Sequence, residues 1–445
     1  MKKFLLALAI IVSITALGCS KKDGGAAAGE SPAKKVTIVV GGWPSADVGF
    51  EGALPGFYEK YPNITVEIEM AETAAYHQAL QTSLAAGQGA PDVAMIEGAY
   101  IAQYRDSQAF INLLDAPYNA ERYKNDFVGL KWNQAYSSDK KRMVAFSWDI
   151  GPSTYFYRAD VFRELGLPSE PEEVAELTST WSGMLDLAKK VNIPGQRWLL
   201  HSAPDLYMEY FHNRDFFDEK LNLMQDRPGD IECLNAVIEM RKSKLDMNAS
   251  LWSAEGVAAV DNGGVLSIIT GAWFGGFLKD DFDPDGTGNW RATVLPGGIK
   301  DMNLGGSFMA IPTQSKYPAE AWAFMEYMMC TTKGQNDIFK AVDYFPSYIP
   351  AWDDPIYQEP DPYFGGQKTR ALWKQMAEGL DRPIYATIMD VSVEGTFSNA
   401  ISTGIEQGMD AQGLKKFIAQ EADTGTAELR RQQIQTLRDA GVWTD

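Results

Sequence analysis

The sequence predicts an α/β fold of two or more domains, and three observations carry that prediction. At 445 residues the chain exceeds the roughly 100–200 residues of an ordinary domain. Short β-branched or aromatic runs recur along it, bounded by Gly, Pro or Asn. Between them stand stretches whose apolar residues repeat at helical spacing, the pattern of a largely parallel sheet flanked by helices. Hydrophobic residues make up 45% and charged residues 22%, which excludes disordered and fibrous classes.

Each element has a local reason. Val36 to Val40 reads as a buried strand that breaks at Gly41-Gly42, directly before Trp43 and Pro44. A helix follows, with Leu54, Phe57 and Tyr58 on one face, and Tyr61-Pro62-Asn63 ends it. Ile64, Val66 and Ile68 alternate with polar residues, as a half-exposed strand does. Residues 73–86 read as a helix stopped by Gly87, and Val93 to Ile96 as a short strand leading into Glu97-Gly98. A second set begins near residue 150. It contains the aromatic strand Tyr155-Phe156-Tyr157, the helix Ala159 to Leu165 and a helix over 180–191. Arg197 to His201 is a candidate strand, 230–243 a helix, and Val265 to Ile269 a buried strand followed by Trp273. Ala292 to Leu295 reads as a strand ending in Pro296-Gly297-Gly298. Pro318 stands just inside the start of a helix over 319–329.

The first residues read as an address. Lys2 and Lys3 precede an apolar stretch from Phe4 to Leu17, shorter than the roughly 20 residues that span a bilayer. Ala16-Leu17-Gly18-Cys19 resembles a lipobox, in which the Cys19 thiol takes a diacylglyceryl group. Residues 1–18 are then a signal peptide and 19–33 a lipid-anchored flexible tether, small and polar. No later segment is long and apolar enough to span a membrane, so the expected product is exported and held to a membrane through Cys19 alone.

Composition narrows the chemistry. The net charge of −19 repels phosphate backbones and disfavours nucleic-acid binding. Two further cysteines, Cys233 and Cys330, sit on amphipathic helices and are expected as buried free thiols. They and three histidines (His77, His201, His212) are poor material for a zinc site. No Gly-x-Ser-x-Gly elbow, phosphate loop or His-Glu-x-x-His occurs. Asp281-Phe282-Asp283-Pro284-Asp285-Gly286 imitates the opening of a calcium loop, but Ala292 stands where the bidentate Glu belongs. A plain turn is the expectation there, and no metal site is predicted.

Strand ends carry the binding signal. In an open α/β sheet, ligands sit outside the carboxyl ends of strands. Trp43 follows the first strand, Glu97 and Tyr100 the strand 93–96, and Trp273 the strand 265–269, while Trp148 and Asp149 precede Tyr155. Aromatic faces stack on the C–H faces of a pyranose, and carboxylates accept from its hydroxyls. Core burial competes with ligand contact at any one Trp, but together these residues predict an aromatic cleft, with the aromatic and carboxylate groups a sugar site needs.

Several segments resemble the extracellular solute-binding proteins of bacterial ABC importers, in the carbohydrate-binding, maltose-binding-protein-like group. Phe57-Tyr58-Glu59-Lys60-Tyr61-Pro62-Asn63-Ile64 looks like that family's first helix running into its second strand. Leu84-Ala85-Ala86-Gly87-Gln88-Gly89-Ala90-Pro91-Asp92-Val93 looks like its Ala-Gly-x-x-Pro-Asp-Val segment. Tyr157-Arg158-Ala159-Asp160-Val161-Phe162-Arg163-Glu164-Leu165-Gly166-Leu167 is similar to a third family element. Thr180-Trp181 stands where its Thr-Trp-x-Glu helix begins, with Gly183 in place of the Glu. Gly305-Gly306-Ser307 to Pro312, then Ala321-Trp322-Ala323-Phe324, look like the return into the first lobe.

The resemblance implies a two-lobed, type II periplasmic-binding-protein fold. Each lobe is a mixed, mostly parallel sheet flanked by helices, and the lobes are joined by hinge crossings near Trp148-Asp149, Pro296 to Asn303 and Phe345 to Tyr348. Lobe 1 is then 34–147 with 300–345, and lobe 2 is 148–299 with 346–445. The implied partners are a sugar or oligosaccharide and a separate membrane permease; the chain itself is an exported monomer. Such a receptor makes and breaks no bond, so the resemblance implies no catalytic residue and no cofactor. Expected contacts are Trp43, Trp148, Trp273 and Phe345 for stacking, with Glu97, Asp149 and the backbone of Gly305 and Gly306 for hydroxyls. Tyr100 and Tyr207 are secondary choices. A polyamine, peptide or iron-complex binder, an anchored glycan-acting enzyme using Glu97 and Asp149, and a chemoreceptor module or adhesin are the alternatives.

Overall fold

A computed structural model describes residues 34–212, 215–224, 227–299, 302–380 and 385–444. The expected signal peptide, the tether and Cys19 lie outside these residues. Residues from Val36 onward form one compact unit.

The first sheet begins with β1 (Val36–Gly42) and β2 (Ile64–Met70), which run parallel with Val36 opposite Ile64. β1 also pairs in parallel with β3 (Val93–Glu97). The helices Ala46–Lys60 and Thr73–Ala86 make the crossovers. Parallel strands need such helices, and the buried Phe50, Ala53, Leu54 and Phe57 fasten the first of them to the core. β4 (Phe146–Ser147) closes the sheet's far side.

The second sheet is built from β5 (Ser153–Arg158), β6 (Ser267–Gly271) and β7 (Trp290–Thr293) in the order β6-β5-β7. The chain then returns to the first sheet with β8 (Ser307–Ala310), giving the order β2-β1-β3-β8-β4. β8 is antiparallel to both β3 and β4, and β5 is antiparallel to both β6 and β7. The first sheet is therefore mixed, and the second is antiparallel throughout its named strands, not mostly parallel as expected. The reason is physical: a strand buried on both faces shows the same apolar run in either direction. Arg197 to His201 is not a strand; Trp198 and Leu200 make isolated bridges to Val265 and Asp246. The strand expected over 292–295 starts two residues earlier, and Pro296–Gly298 is a 3-10 turn.

Three segments pass between the sheets side by side. Residues 148–152 join β4 to β5, and 302–306 lead into β8. Residues 345–348 are the third, with Asp149 bridged to Pro346 and Pro152 to Asn303. Backbone hydrogen bonds from Ile150 to Phe345 (2.8 Å) and from Leu304 to Gly151 (2.8 Å) hold the bundle together. Three apolar cores flank it. One joins β1–β4 and β8 with the helix Pro318–Met329. A second packs the helices Trp181–Val191, Asp230–Lys242, Asp390–Glu406 and Ala411–Asp439 around Tyr155 and Tyr157. A third gathers Phe345, Trp352, Phe364 and Trp373 around Phe156, Phe274 and Trp290.

Candidate functional site

Glu97 ends β3, and its carboxylate turns back to accept from the Ala99 N–H (3.2 Å). Its own N–H donates to His77 Nε2 (3.2 Å) on the helix Thr73–Ala86. His77 Nδ1 lies 2.8 Å from the Thr73 carbonyl, which accepts. These two partners place the ring proton on Nδ1. Burial holds the imidazole down to about 4, so it is neutral at physiological pH. The ring stacks on Tyr100, with centroids 3.9 Å apart, and tilts against Trp43 at 5.5 Å. Trp43 and Tyr100 are half-buried, so the carboxyl end of the first sheet presents an aromatic rim around Glu97.

Lys131 lies beside this rim, on the helix Gly129–Gln134, and is 1% exposed. Its ammonium donates to the carbonyls of Gly305 (2.6 Å) and Gly306 (3.1 Å) and sits 5.0 Å from the Phe308 ring centre. Burial lowers its pKa to about 8, against the pull of Asp149 and Glu97. Asp149, 4% exposed, accepts from the Ser307 N–H (2.6 Å). Burial pushes its carboxyl up to about 7; the Ser307 bond and Lys131 oppose the rise. Asn303 ties the crossings together, accepting from the Gly151 N–H (2.8 Å) and donating to the Gly305 carbonyl (2.9 Å).

Glu97, Lys131, Asn303 and Gly305 share one cavity with Gly98, Gln134, Asp215, Phe216, Asp390 and Glu394. Asp390 and Glu394 come from the first turns of the helix Asp390–Glu406, and burial pushes Asp390 up to about 7. Trp273, just after β6, also adjoins Gly305. Its Nε1 donates to the Leu304 carbonyl (3.0 Å), and a Cβ on Gly305 would stand 3.3 Å from that nitrogen. Trp252 lies near-parallel to Trp273, with 16° between planes and centroids 6.4 Å apart, and is 55% exposed. Phe274 and Phe277 meet both indoles edge-on, which pins them.

The expected contacts divide into two groups. Trp43, Glu97, Tyr100, Trp273 and Gly305 are half-buried; Glu97 and Gly305 line the cavity, Trp43 and Tyr100 pack on His77 beside Glu97, and Trp273 lies against Gly305. Trp148, Asp149, Gly306 and Phe345 are buried in the crossings. Trp148 packs on Phe50 and Tyr344, and Phe345 on Phe339, Trp352 and Tyr357. The Gly305 and Gly306 carbonyls, expected to meet hydroxyls, are held by Lys131. Tyr207 is buried in the second core and donates to Asp230 (3.0 Å). Sequence reasoning passed over His77, Lys131, Asn303, Trp252, Asp390 and Glu394. Trp252 alone had a usable signal, a tryptophan between Leu251 and Ser253 in a polar turn.

The calcium-like turn directs Asp283 inward, where it accepts from Trp290 Nε1 (2.8 Å) near Arg158. Among the described residues, no cluster of three or more His, Cys, Asp or Glu is placed to hold a metal ion. Cys233 and Cys330 are buried free thiols, as expected, and burial raises both thiol pKa values.

With two sheets, three crossings and a lined cleft, the architecture is that of a two-lobed type II binding protein. The chain belongs to the bacterial extracellular solute-binding protein family, whose model matches residues 55–360. It is 24% identical to an arabinooligosaccharide-binding protein of Halalkalibacterium halodurans, over 71% of this chain and 72% of that one. It is 25% identical to a lactose-binding protein of Rhizobium radiobacter, over 76% of this chain and 81% of that one. Among solved structures, it superimposes with a TM-score of 0.71 on the ABC transporter-associated binding protein of B. animalis subsp. lactis Bl-04 in complex with β-1,6-galactobiose. That match has 20% identity and covers 90% of this chain and 99% of the other.

Proposed function

We propose that this chain is the substrate-binding lipoprotein of an ABC importer, capturing a sugar or oligosaccharide between two lobes and delivering it to a membrane permease. One juxtaposition carries the reading: Glu97 at the end of the first sheet, rimmed by Tyr100 and Trp43 through His77, and Trp273 after the second sheet both adjoin the crossing at Gly305. Indole and phenol faces suit the C–H faces of a pyranose, and Glu97 and Lys131 suit its hydroxyls. The names of the sugar-binding relatives point the same way.

Lobe 1 is 34–147 with 300–345, lobe 2 is 148–299 with 346–445, and the lobes move about the crossings. A solute that touches both lobes favours the closed form by its differential affinity for it. The closed form docks on the permease. The lipid on Cys19 keeps this exported monomer near the membrane and raises its local concentration there. The solute leaves unchanged, so no nucleophile, catalytic base or cofactor enters the cycle.

The test is a thermal-shift panel on the full chain with arabino-oligosaccharides, lactose, monosaccharides, polyamines and peptides. A ligand at about 100 times its Kd stabilises by about 2.7 kcal/mol, an easily read rise in melting temperature. A rise with a saccharide is expected. A rise with a polyamine or peptide alone would overturn the sugar assignment, and hydrolysis of any glycan would overturn the binding-only role.

A further inference from the structure

Lys131 is the only lysine among the described residues that is buried, and it stands where the cavity meets the hinge. Lysine side chains are almost never fully buried without a specific partner. Here the partners are two successive carbonyls of one crossing, Gly305 at 2.6 Å and Gly306 at 3.1 Å. Both glycines have positive φ, +77° and +81°, which turns their carbonyls toward the ammonium. An ammonium has three N–H donors, and these carbonyls take two. The third remains for the cavity that Lys131 lines together with Glu97.

We propose that Lys131 couples solute to hinge: one N–H donates to an oxygen of the bound solute, while the other two hold the Gly305-Gly306 crossing in its binding geometry. Its ligand is a neutral or anionic oxygen, such as a sugar hydroxyl. This rests on the saccharide-binding reading above. It assigns Lys131 a contact and a positioning task that geometry at Glu97 and Trp273 alone would not require.

The charged surroundings give the coupling a pH signature. Asp149 and Glu97 act directly on Lys131, and Asp215, Asp390 and Glu394 line the same cavity. Asp149 and Asp390 are pushed up to about 7, so above that range both are ionised and Lys131, at about 8, is the group that changes. Losing its proton removes a donor and loosens the grip on the crossing.

The experiment compares the full-length wild type with Lys131→Met by calorimetric titration of arabinotriose and lactose between about pH 7 and 9.5, and by small-angle scattering of the unliganded proteins. Wild-type affinity is expected to fall as pH rises through this range. Lys131→Met is expected to bind at least about tenfold more weakly, the size of one lost hydrogen bond to a charged group, with a flat pH profile. Its unliganded radius of gyration is expected to differ from wild type at neutral pH, and alkaline wild type to move toward the variant. Saccharide binding in the variant with wild-type affinity and pH profile would overturn the proposal while leaving the saccharide reading intact. Failure of both probes to bind wild type would count against the saccharide reading; the scattering comparison still decides the hinge role, and identical curves at both pH values overturn it. If Lys131→Met does not fold, the wild-type pH dependence of scattering gives the same decision.

Discussion

Trp43 with Glu97, and Trp148 with Asp149, carry the same signature in the sequence, an aromatic residue and an acid at strand ends. The structure gives them opposite environments. Trp43 and Glu97 sit where β1 and β3 run out at the open end of the first sheet, and both stay half-buried. Trp148 and Asp149 sit in a crossing flanked by two others, with 2% and 4% exposure. What differs is the number of neighbouring segments. A strand end at a sheet margin leaves a face for a solute, whereas a strand between two sheets is covered by its neighbours. The hinge has built its own core from residues that read as binding groups.

Four measurements break or sharpen this contrast. The largest effect belongs to the hinge. Trp148→Ala empties a site packed by Phe50 and Tyr344 and should cost about 3–5 kcal/mol in denaturant unfolding. A loss below about 1 kcal/mol would show that the residue is not the core group described.

His77 comes next, with acid as the probe. Its folded pKa, about 4, lies below the ordinary 6.5. The unfolded chain therefore takes up the proton first, and stability falls as pH drops from 6.5 toward 4, by about 3 kcal/mol at the end of that window. In His77→Gln the acid slope across this window should be shallower than in wild type, read from unfolding midpoints. Asp149 and Asp390 act with the opposite sign: their raised pKa values favour the folded state at low pH and cost stability as pH rises through 7.

Gly306→Ala is third. At φ +81° a Cβ would stand 2.7 Å from the Asp149 carbonyl oxygen and 2.7 Å from Lys131 Cε, so about 1–3 kcal/mol of stability should be lost. A neutral result would mean the crossing relaxes freely. The smallest effect on stability belongs to the rim. Trp273→Ala should weaken saccharide binding by about two- to tenfold, since an aromatic contact contributes about 0.5–1.5 kcal/mol, and cost less stability than Trp148→Ala, because the indole is only half-buried. Unchanged affinity in titration calorimetry would remove Trp273 from the site.

Much of this was legible in the sequence. The helix at residues 73–86 matches its predicted ends because Gly87, at φ +69°, is a clear stop. The β-branched runs located β1 to β3, and the strand-end rule picked out Trp43, Glu97 and Trp273, which the structure leaves half-buried at the ends of the sheets. Strand direction was not legible, because burial on both faces erases the alternation that would mark it. Nor was the division between rim and hinge, which depends on long-range neighbours such as Pro346 beside Asp149. Lys131 gave no signal, since a lysine between Leu130 and Trp132 reads as the solvent face of a helix. Asp390 and Glu394 were hidden because the helix that carries them lies far along the chain from Glu97.

Capture by closure is tested most directly by small-angle scattering of the full chain, with and without a saturating concentration of the saccharide that stabilises it. The radius of gyration should fall on binding, because a solute touching both lobes draws them together. Saturation with no change in the radius would contradict the account, since it would place the solute on one lobe or in a rigid pocket.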